Sequence, residues 1–198
     1  MKILHLDSSI SGENSASRAL SAAIVQKLTA ADPAAELIYH DLVERPLEHL
    51  TFPEFQTAQS QAVLDEFNAA DTIVIGAAMY NFTIPTQLKA WIDRVLIGGQ
   101  TFRYTESGAE GLAGSKRVIV ALARGGLYGE GSAQQAFEHA EQYLRAAFAF
   151  IGISQPEFVI AEGLALGDDA RAASLQAALA SVVEGRAAAS ARLSLEAV

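Results

Sequence analysis

Serine side chains are concentrated after the first apolar run of the chain, where the sequence reads DSSISGENSASRAL. Ser9, Ser15 and Ser17 precede or begin a predicted helix, whose N-terminus offers free backbone N–H groups and the positive end of a dipole. Hydroxyls and amides in this arrangement bind a single phosphate group. An alternative stays open at this point, because Asn14, Ser15 or Ser17 could serve only as the N-cap of the helix.

Two aromatic residues flank an amide at the end of another apolar run, in the segment DTIVIGAAMYNFTIPTQLK. Met79, Tyr80, Asn81 and Phe82 could simply pack against a neighbouring loop. A flat ligand, however, also needs an apolar surface with backbone N–H groups aimed at its edge. Beside a phosphate site, such a surface is typical of a mononucleotide that carries a large ring.

A glycine pair ends a third run, in the sequence Ala123-Arg124-Gly125-Gly126. Such a pair is usually only a turn, but it also lets the backbone approach the polar edge of a ring. Ligands of open α/β sheets bind at the carboxyl ends of the strands, where these three segments would meet. One phosphate and one planar ring at that edge predict FMN. Neither GxGxxG nor GxxxxGKS/T is present, which argues against a dinucleotide site and a P-loop.

The elements that must position these residues alternate between strands and helices. Strand-like runs cover 3–6, 72–75, 117–122 and 158–161, with a weaker fifth at 36–39. Helix-period segments cover 16–30, 59–69, 86–97, 134–151 and a stretch from 168 onward, whose last ten residues we expect to fray. This order predicts an α/β protein with a doubly wound, five-stranded parallel sheet and helices on both faces. Residues 42–58 are predicted to form a long loop and residues 100–115 a small hairpin or flap.

The composition limits the classes of function. A length of 198 residues fits one domain over 1–198, and the absence of cysteine removes thiol chemistry, so a redox role needs a bound cofactor. The net charge of −9 argues against a nucleic-acid partner. The four histidines are scattered, which predicts no metal site. The start MKILHLDSS is neither a signal peptide nor a membrane anchor, which predicts a cytoplasmic protein without a membrane partner.

These residues also resemble a known family, the FMN-dependent NAD(P)H azoreductases and quinone reductases of the flavodoxin-like superfamily. The motifs are Ser9 with SAS at 15–17, MYNFTIPTQLK at 79–89, TFRYTESGAEGL at 101–112, RGG at 124–126 and FIGI at 150–153. They are spread over most of the chain and imply a flavodoxin-like fold. The sequence departs from the family pattern at Ala123, where serine is common, and at Ala16 and Arg18, which replace polar uncharged residues.

The resemblance implies roles for individual residues. Ser9, Ser15, Ala16 and Ser17 would hold the FMN phosphate, Met79, Tyr80, Asn81 and Phe82 the ring and ribityl chain, and Ala123, Arg124, Gly125 and Gly126 the pyrimidine edge of the ring. Reaction would be ping-pong, with NADH or NADPH passing a hydride to flavin N5 and a quinone or azo compound then accepting it. No catalytic side chain is required, because the backbone near Asn81, Gly125 and Gly126 would support charge on the ring. Tyr104 and Tyr128 are expected to line the acceptor site.

The family is homodimeric, with the active site built across the interface and the hairpin around Tyr104 near it. The helix from Thr86 also favours a homodimer, because it carries Trp91 and is apolar over more than a narrow stripe. The rival hypothesis is a flavodoxin-type electron carrier without its own NAD(P)H-oxidising activity, for which the acidity would suit docking to a basic partner. The insertion at 100–115 and the aromatic surface favour an enzyme, since a carrier needs an exposed flavin edge.

Overall fold

The computed structural model describes the backbone of residues 1–195 and the side chains of residues 1–182. The strands are β1 Lys2–Asp7, β2 Glu36–Asp41, β3 Thr72–Ala78, β4 Phe102–Thr105, β5 Gly108–Gly111, β6 Arg117–Ala123 and β7 Glu157–Ala161. The helices are α1 Ala16–Ala31, α2 Ala58–Ala69, α3 Thr86–Val95, α4 Ala140–Phe150 and α5 Asp168–Leu195. Of the last ten residues, which were expected to fray, 189–195 belong to α5 and 196–198 lie outside the described part of the chain.

The predicted sheet is confirmed. Within the described residues, five parallel strands pair in the order β2-β1-β3-β6-β7. Every residue of β3 is buried, as expected for a continuous apolar strand covered on both faces. Helices α1 and α5 pack on one face through residues such as Ile24 and Val182, and α3 and α4 pack on the other through residues such as Leu88 and Phe148. Because all five strands are parallel, their carboxyl ends meet at one edge of the sheet.

Two helix boundaries differ by more than one residue from those predicted. The helix expected over 134–151 begins only at Ala140, because the Glu138 carboxylate accepts hydrogen bonds from the first-turn amides of Ala140, Glu141 and Gln142. The helix expected to reach residue 97 ends at Val95, whose carbonyl accepts a hydrogen bond from the Thr101 hydroxyl at 2.6 Å. Both corrections have the same cause. A side chain binds the backbone N–H or C=O groups that a helix leaves without a partner at its end.

The expected hairpin is formed by β4 and β5, but it lies at the amino edge of the sheet. Since β3 and β6 are parallel neighbours, the chain that connects them must return from the carboxyl edge to the amino edge. The hairpin follows α3 on this return and packs beside the C-terminus of α4, where a Cβ on Gly111 would lie 2.1 Å from the Gly152 nitrogen. Within one chain, Tyr104 is therefore remote from the carboxyl edge, and it is 78% exposed.

Trp91 does not supply the interface surface that the sequence suggested. Its side chain is 2% exposed and packs edge-on against Phe67 of α2 at a ring-centroid distance of 6.0 Å. The breadth of the apolar face of α3 is explained by burial inside the same chain. This observation therefore removes one of the sequence arguments for a homodimer.

Candidate active site at the carboxyl edge of the sheet

The serine-rich loop ends at the N-terminus of α1. Ser15 is the N-cap, because its hydroxyl accepts a hydrogen bond from the Arg18 amide at 3.3 Å. The same hydroxyl lies 3.1 Å from that of Ser17, which is fully buried. The capping interpretation thus holds for Ser15. It leaves the phosphate prediction intact, since the first-turn amides at Ala16 and Ser17 have no acceptor within a helix.

Tyr80 joins the serine loop to the end of β3. Its hydroxyl lies 3.1 Å from the Ser9 hydroxyl and accepts a hydrogen bond from the Ile10 amide at 3.1 Å. Residues more than sixty positions apart in the sequence are therefore in direct contact at the carboxyl edge, where the sequence predicted that they would meet. The two segments predicted to hold the phosphate and the ring are therefore joined directly by hydrogen bonds.

The segment after β3 is a strained turn. Tyr80 and Thr83 exchange backbone hydrogen bonds of 3.0 and 3.1 Å, and the two central residues, Asn81 and Phe82, have positive φ values of 46° and 76°. Asparagine tolerates this region, but for phenylalanine it costs on the order of 1–3 kcal/mol. Strain of this kind persists where the surrounding structure over-determines the backbone, as it does at ligand sites. The turn fixes the Asn81 amide and the Phe82 ring at the strand end.

The glycine pair lies beside this turn. The Met79 amide donates to the Ala123 carbonyl at 2.8 Å, which fixes the end of β3 to the end of β6. The carbonyls of Gly125 and Gly126 accept hydrogen bonds from Ala165 and Gly163, both at 2.9 Å. Since these carbonyls are occupied inside the protein, the N–H groups of the glycine pair are the atoms left to meet a ligand.

Arg124 does not have the position of a cofactor ligand through its side chain. The guanidinium is buried, with 2% of the side chain exposed, and it lies 3.2 Å from Glu138, 2.6 Å from Glu141 and 3.6 Å from Glu162. Its amide donates to the Ala161 carbonyl at 2.8 Å. The sequence placed Arg124 among the flavin-binding residues, but both groups are used inside the protein, because three carboxylates from later segments converge on it.

An aromatic wall stands beside the turn. The Phe82 ring packs against Phe137 at 5.3 Å and edge-on against Tyr128 at 6.4 Å between ring centroids. Phe82 and Phe137 are each about half exposed, with 45% and 51% of their surface accessible. Tyr128 is thus adjacent to the turn that was predicted to hold the ring. The position of Phe137 in this wall was not predicted, because the only signal the sequence offered was its place in a helix-period segment.

A partly buried polar cluster lies beneath the serine loop and was also missed. Arg18 donates to the Ser9 carbonyl at 2.9 Å and pairs with Asp41 at the end of β2 through contacts of 2.5 and 2.9 Å. Hydrogen bonds from Arg18 lower the pKa of Asp41, although burial acts in the opposite direction. Burial and the nearby carboxylates of Asp7 and Asp41 raise the pKa of Tyr39 to about 12. The sequence marked Arg18 only as a departure from the family pattern.

The donor set of this edge fits FMN. Hydroxyls and amides of the serine loop suit an anionic phosphate, and the amides of the β3 turn and of the glycine pair suit the carbonyl and imide groups of a flavin ring. A Cβ on Gly126 would lie 3.1 Å from the Tyr128 ring, so a larger residue there would require the ring to shift by a few tenths of an ångström. No cluster of three or more His, Cys, Asp or Glu side chains that could hold a metal ion occurs among the described residues. Nor does any helix in the described part of the chain have the length and apolar character needed to cross a membrane.

Known proteins that are similar to this chain in sequence share one name. A protein of Xanthomonas campestris pv. campestris named FMN-dependent NADH:quinone oxidoreductase is 58% identical over 92% of this chain and 98% of its own length. A protein of the same name from Methylorubrum extorquens is 54% identical over 90% of this chain and 96% of its own length.

Solved structures agree with the fold. An FMN-dependent NADH-azoreductase from Bacillus anthracis, determined in complex with FMN, superposes with a TM-score of 0.82 at 27% identity, covering 97% of this chain and 98% of its own. The model of the Flavodoxin_2 family, described as having a flavodoxin-like fold, matches residues 1–185. The chain therefore belongs to the Flavodoxin_2 family.

Proposed function

We infer that this chain is an FMN-dependent NADH:quinone oxidoreductase that also reduces azo compounds. The observation that carries this function is the convergence of three segments at the carboxyl edge of the sheet. Tyr80 of the strained β3 turn contacts Ser9 of the serine loop, and Met79 is bonded to Ala123 beside the glycine pair. Relatives more than 50% identical over at least 90% of the chain bear the name of this activity. They favour an enzyme over a flavodoxin-type electron carrier.

We propose that the cofactor is held mainly by backbone amides and hydroxyls. Ser9, Ser15, Ala16 and Ser17 bind the phosphate, Met79, Tyr80, Asn81 and Phe82 hold the ring and ribityl chain, and Ala123, Gly125 and Gly126 meet the pyrimidine edge through the backbone. Arg124 contributes by fixing the backbone of this last segment, since its amide is bonded to Ala161 and its guanidinium to carboxylates. Bound FMN would supply the hydride acceptor and donor that the cysteine-free chain itself lacks.

The residues around the ring site would act by position and electrostatics. The amides of Asn81, Gly125 and Gly126 are rigidly held by the turn and by the bonds to Ala165 and Gly163, so they can stabilise negative charge without reorganisation. The aromatic wall of Phe82, Tyr128 and Phe137 would cover one side of the site, exclude water and offer a flat surface to an aromatic acceptor.

We also propose a cytoplasmic homodimer in which the hairpin of one chain approaches the site of the other. Tyr104 is 78% exposed at the amino edge of its own sheet, so it can line an acceptor site only in a second copy. Exposed aromatic side chains at Phe52 and Phe55, with 85% and 47% of their surface accessible, add apolar area available to such an interface. A cytoplasmic location would give the enzyme access to NADH.

The function is tested by cofactor analysis and steady-state kinetics. Flavin released from the purified protein should be FMN, and NADH oxidation should increase strongly when a quinone is added. Double-reciprocal plots at several quinone concentrations should be parallel, as expected when donor and acceptor use one site in turn. Release of FAD, failure to bind FMN on titration, or NADH oxidation that quinone does not stimulate would contradict the proposal.

A further inference from the structure

One carboxylate holds the loop that carries Tyr128. Glu162 directly follows β7, and its Oε2 accepts hydrogen bonds from the amides of both Tyr128 and Gly129, each at 3.1 Å. Two consecutive amides therefore converge on a single oxygen atom. A carboxylate that accepts bonds from backbone N–H groups is among the stronger hydrogen-bonding arrangements in proteins.

Glu162 is itself fixed from two directions. Its Oε2 lies 3.6 Å from the buried guanidinium of Arg124, and its amide donates to the Ser174 hydroxyl on α5 at 3.0 Å. The backbone of Arg124 is bonded to Ala161 at 2.8 Å, so the cation and the carboxylate are held just beyond the ends of two neighbouring strands, β6 and β7. Glu162 thus anchors the Tyr128 loop, which has no regular structure of its own, to the end of the sheet.

The sequence of the loop is adapted to this contact. A Cβ on Gly129 would lie 3.1 Å from Oε1 of Glu162, so the carboxylate would have to shift by a few tenths of an ångström. Glycine at this position leaves the carboxylate where it meets the two amides. On the other side of the loop, the Tyr128 ring stands edge-on to Phe82 at 6.4 Å. The loop whose amides bind Glu162 therefore also carries one ring of the aromatic wall.

We propose that Glu162 is a positioning residue for the acceptor site. It holds the Tyr128 ring against Phe82 through the amides of Tyr128 and Gly129, and so determines how well a quinone is bound without touching the quinone. This inference rests on the proposed function, in which Tyr128 lines the acceptor site. It concerns acceptor binding and leaves the binding of FMN to the serine loop, the β3 turn and the glycine pair.

A pair of substitutions separates the hydrogen-bonding role of Glu162 from its charge. Glu162→Ala removes the acceptor, whereas Glu162→Gln keeps one carbonyl oxygen that can accept both bonds but carries no charge. We expect Glu162→Ala to raise the KM for a benzoquinone roughly tenfold, the change that corresponds to about 1.4 kcal/mol. The kcat and the Kd for FMN should stay within about twofold of the wild type, and Glu162→Gln should resemble the wild type throughout.

Two further measurements make the role specific. In the apoprotein, hydrogen exchange of the Tyr128 and Gly129 amides should accelerate in Glu162→Ala and remain slow in Glu162→Gln. Adding Glu162→Ala to Tyr128→Ala should raise the quinone KM no further than Tyr128→Ala alone, because both changes act through the same ring. Glu157→Ala is the matched control, since Glu157 begins β7 at the amino edge and pairs with Arg117. It should leave the quinone KM unchanged.

The outcomes distinguish this inference from the proposed function. If the wild type binds FMN and turns over quinone, but Glu162→Ala keeps the wild-type KM, the positioning role is refuted. Equal effects of the Ala and Gln substitutions would refute it too, because the charge opposite Arg124 would then be the relevant property. If the wild type itself neither binds FMN nor reduces quinone, the proposed function fails, while the exchange rates of the two amides still test the structural contact.

Discussion

Replacing Arg124 by methionine should strongly destabilise the protein, because it removes the cation that three carboxylates share. Glu138 is the critical partner, since only 6% of its side chain is exposed, whereas Glu141 and Glu162 are 21% and 31% exposed and can be hydrated. Removing one member of a buried ion pair costs about 3–5 kcal/mol. The Glu138 carboxylate keeps three backbone amides, so we expect the lower end of that range, about 3 kcal/mol.

Thermal unfolding of the apoprotein measures this cost without a contribution from bound FMN. For a domain of this size, about 3 kcal/mol corresponds to a decrease in Tm of roughly 6–12 °C. Arg145→Met is a matched control, because Arg145 pairs with the same Glu141 at 2.7 Å but has 49% of its side chain exposed. An exposed pair contributes up to about 1 kcal/mol, so the control should lose less than about 4 °C.

A second substitution identifies the buried charge as the cause. Adding Glu138→Gln to Arg124→Met removes the uncompensated carboxylate while retaining an acceptor for the first turn of α4. The double variant should recover at least about 1 kcal/mol, or roughly 2–4 °C, relative to Arg124→Met. The reasoning is refuted if Arg124→Met loses no more stability than Arg145→Met, or if the double variant is no more stable than Arg124→Met alone.

Three other predictions concern the loops and the assembly. Ser17→Ala should raise the Kd for FMN roughly 10- to 150-fold, as expected for about 1.5–3 kcal/mol lost from a bond to a charged group, and unchanged affinity with a lower Tm would show that Ser17 is only structural. Hydrogen bonds from Arg18 lower the pKa of Asp41 from its usual value of 3.8. The stability that the ionised carboxylate contributes is therefore present above about pH 4 and is lost as the pH falls through the lowered pKa. Asp41→Asn should reduce Tm at neutral pH, and progressively less toward strongly acid pH. Sedimentation should show a dimer at micromolar concentration, and Tyr104→Ala should raise the quinone KM without changing the Kd for FMN; a fully active monomer would contradict both expectations.

The fold was predictable because its signals are local. Continuous apolar runs such as 72–75 and 117–122 indicated buried parallel strands, and the alternation with helices allowed few other topologies. The parallel arrangement in turn brought the serine loop, the β3 turn and the glycine pair to one edge. The contact between Tyr80 and Ser9 is a direct consequence of that topology.

The site was predictable only in outline, because its details depend on contacts between distant segments. Nothing near Arg124 in the sequence indicates that Glu138 and Glu162 will enclose it. Local propensity also gives no reason for Phe82 to adopt a φ of 76°, since a bulky residue avoids that region unless neighbouring structure imposes it. Tyr104 was placed by resemblance, and only the course of the chain after α3 shows that it lies far from the carboxyl edge of its own sheet.

Anaerobic stopped-flow mixing of the FMN-loaded protein with NADH tests the central claim most directly. If the chain is an oxidoreductase, the flavin absorbance should bleach without any second protein, and subsequent mixing with a quinone should restore it. The acceptor can react only after the donor has left, so excess NADH is removed before the second mixing. Failure of the flavin to bleach with NADH or NADPH, with bleaching only after a separate reductase is added, would contradict the enzyme and favour an electron carrier.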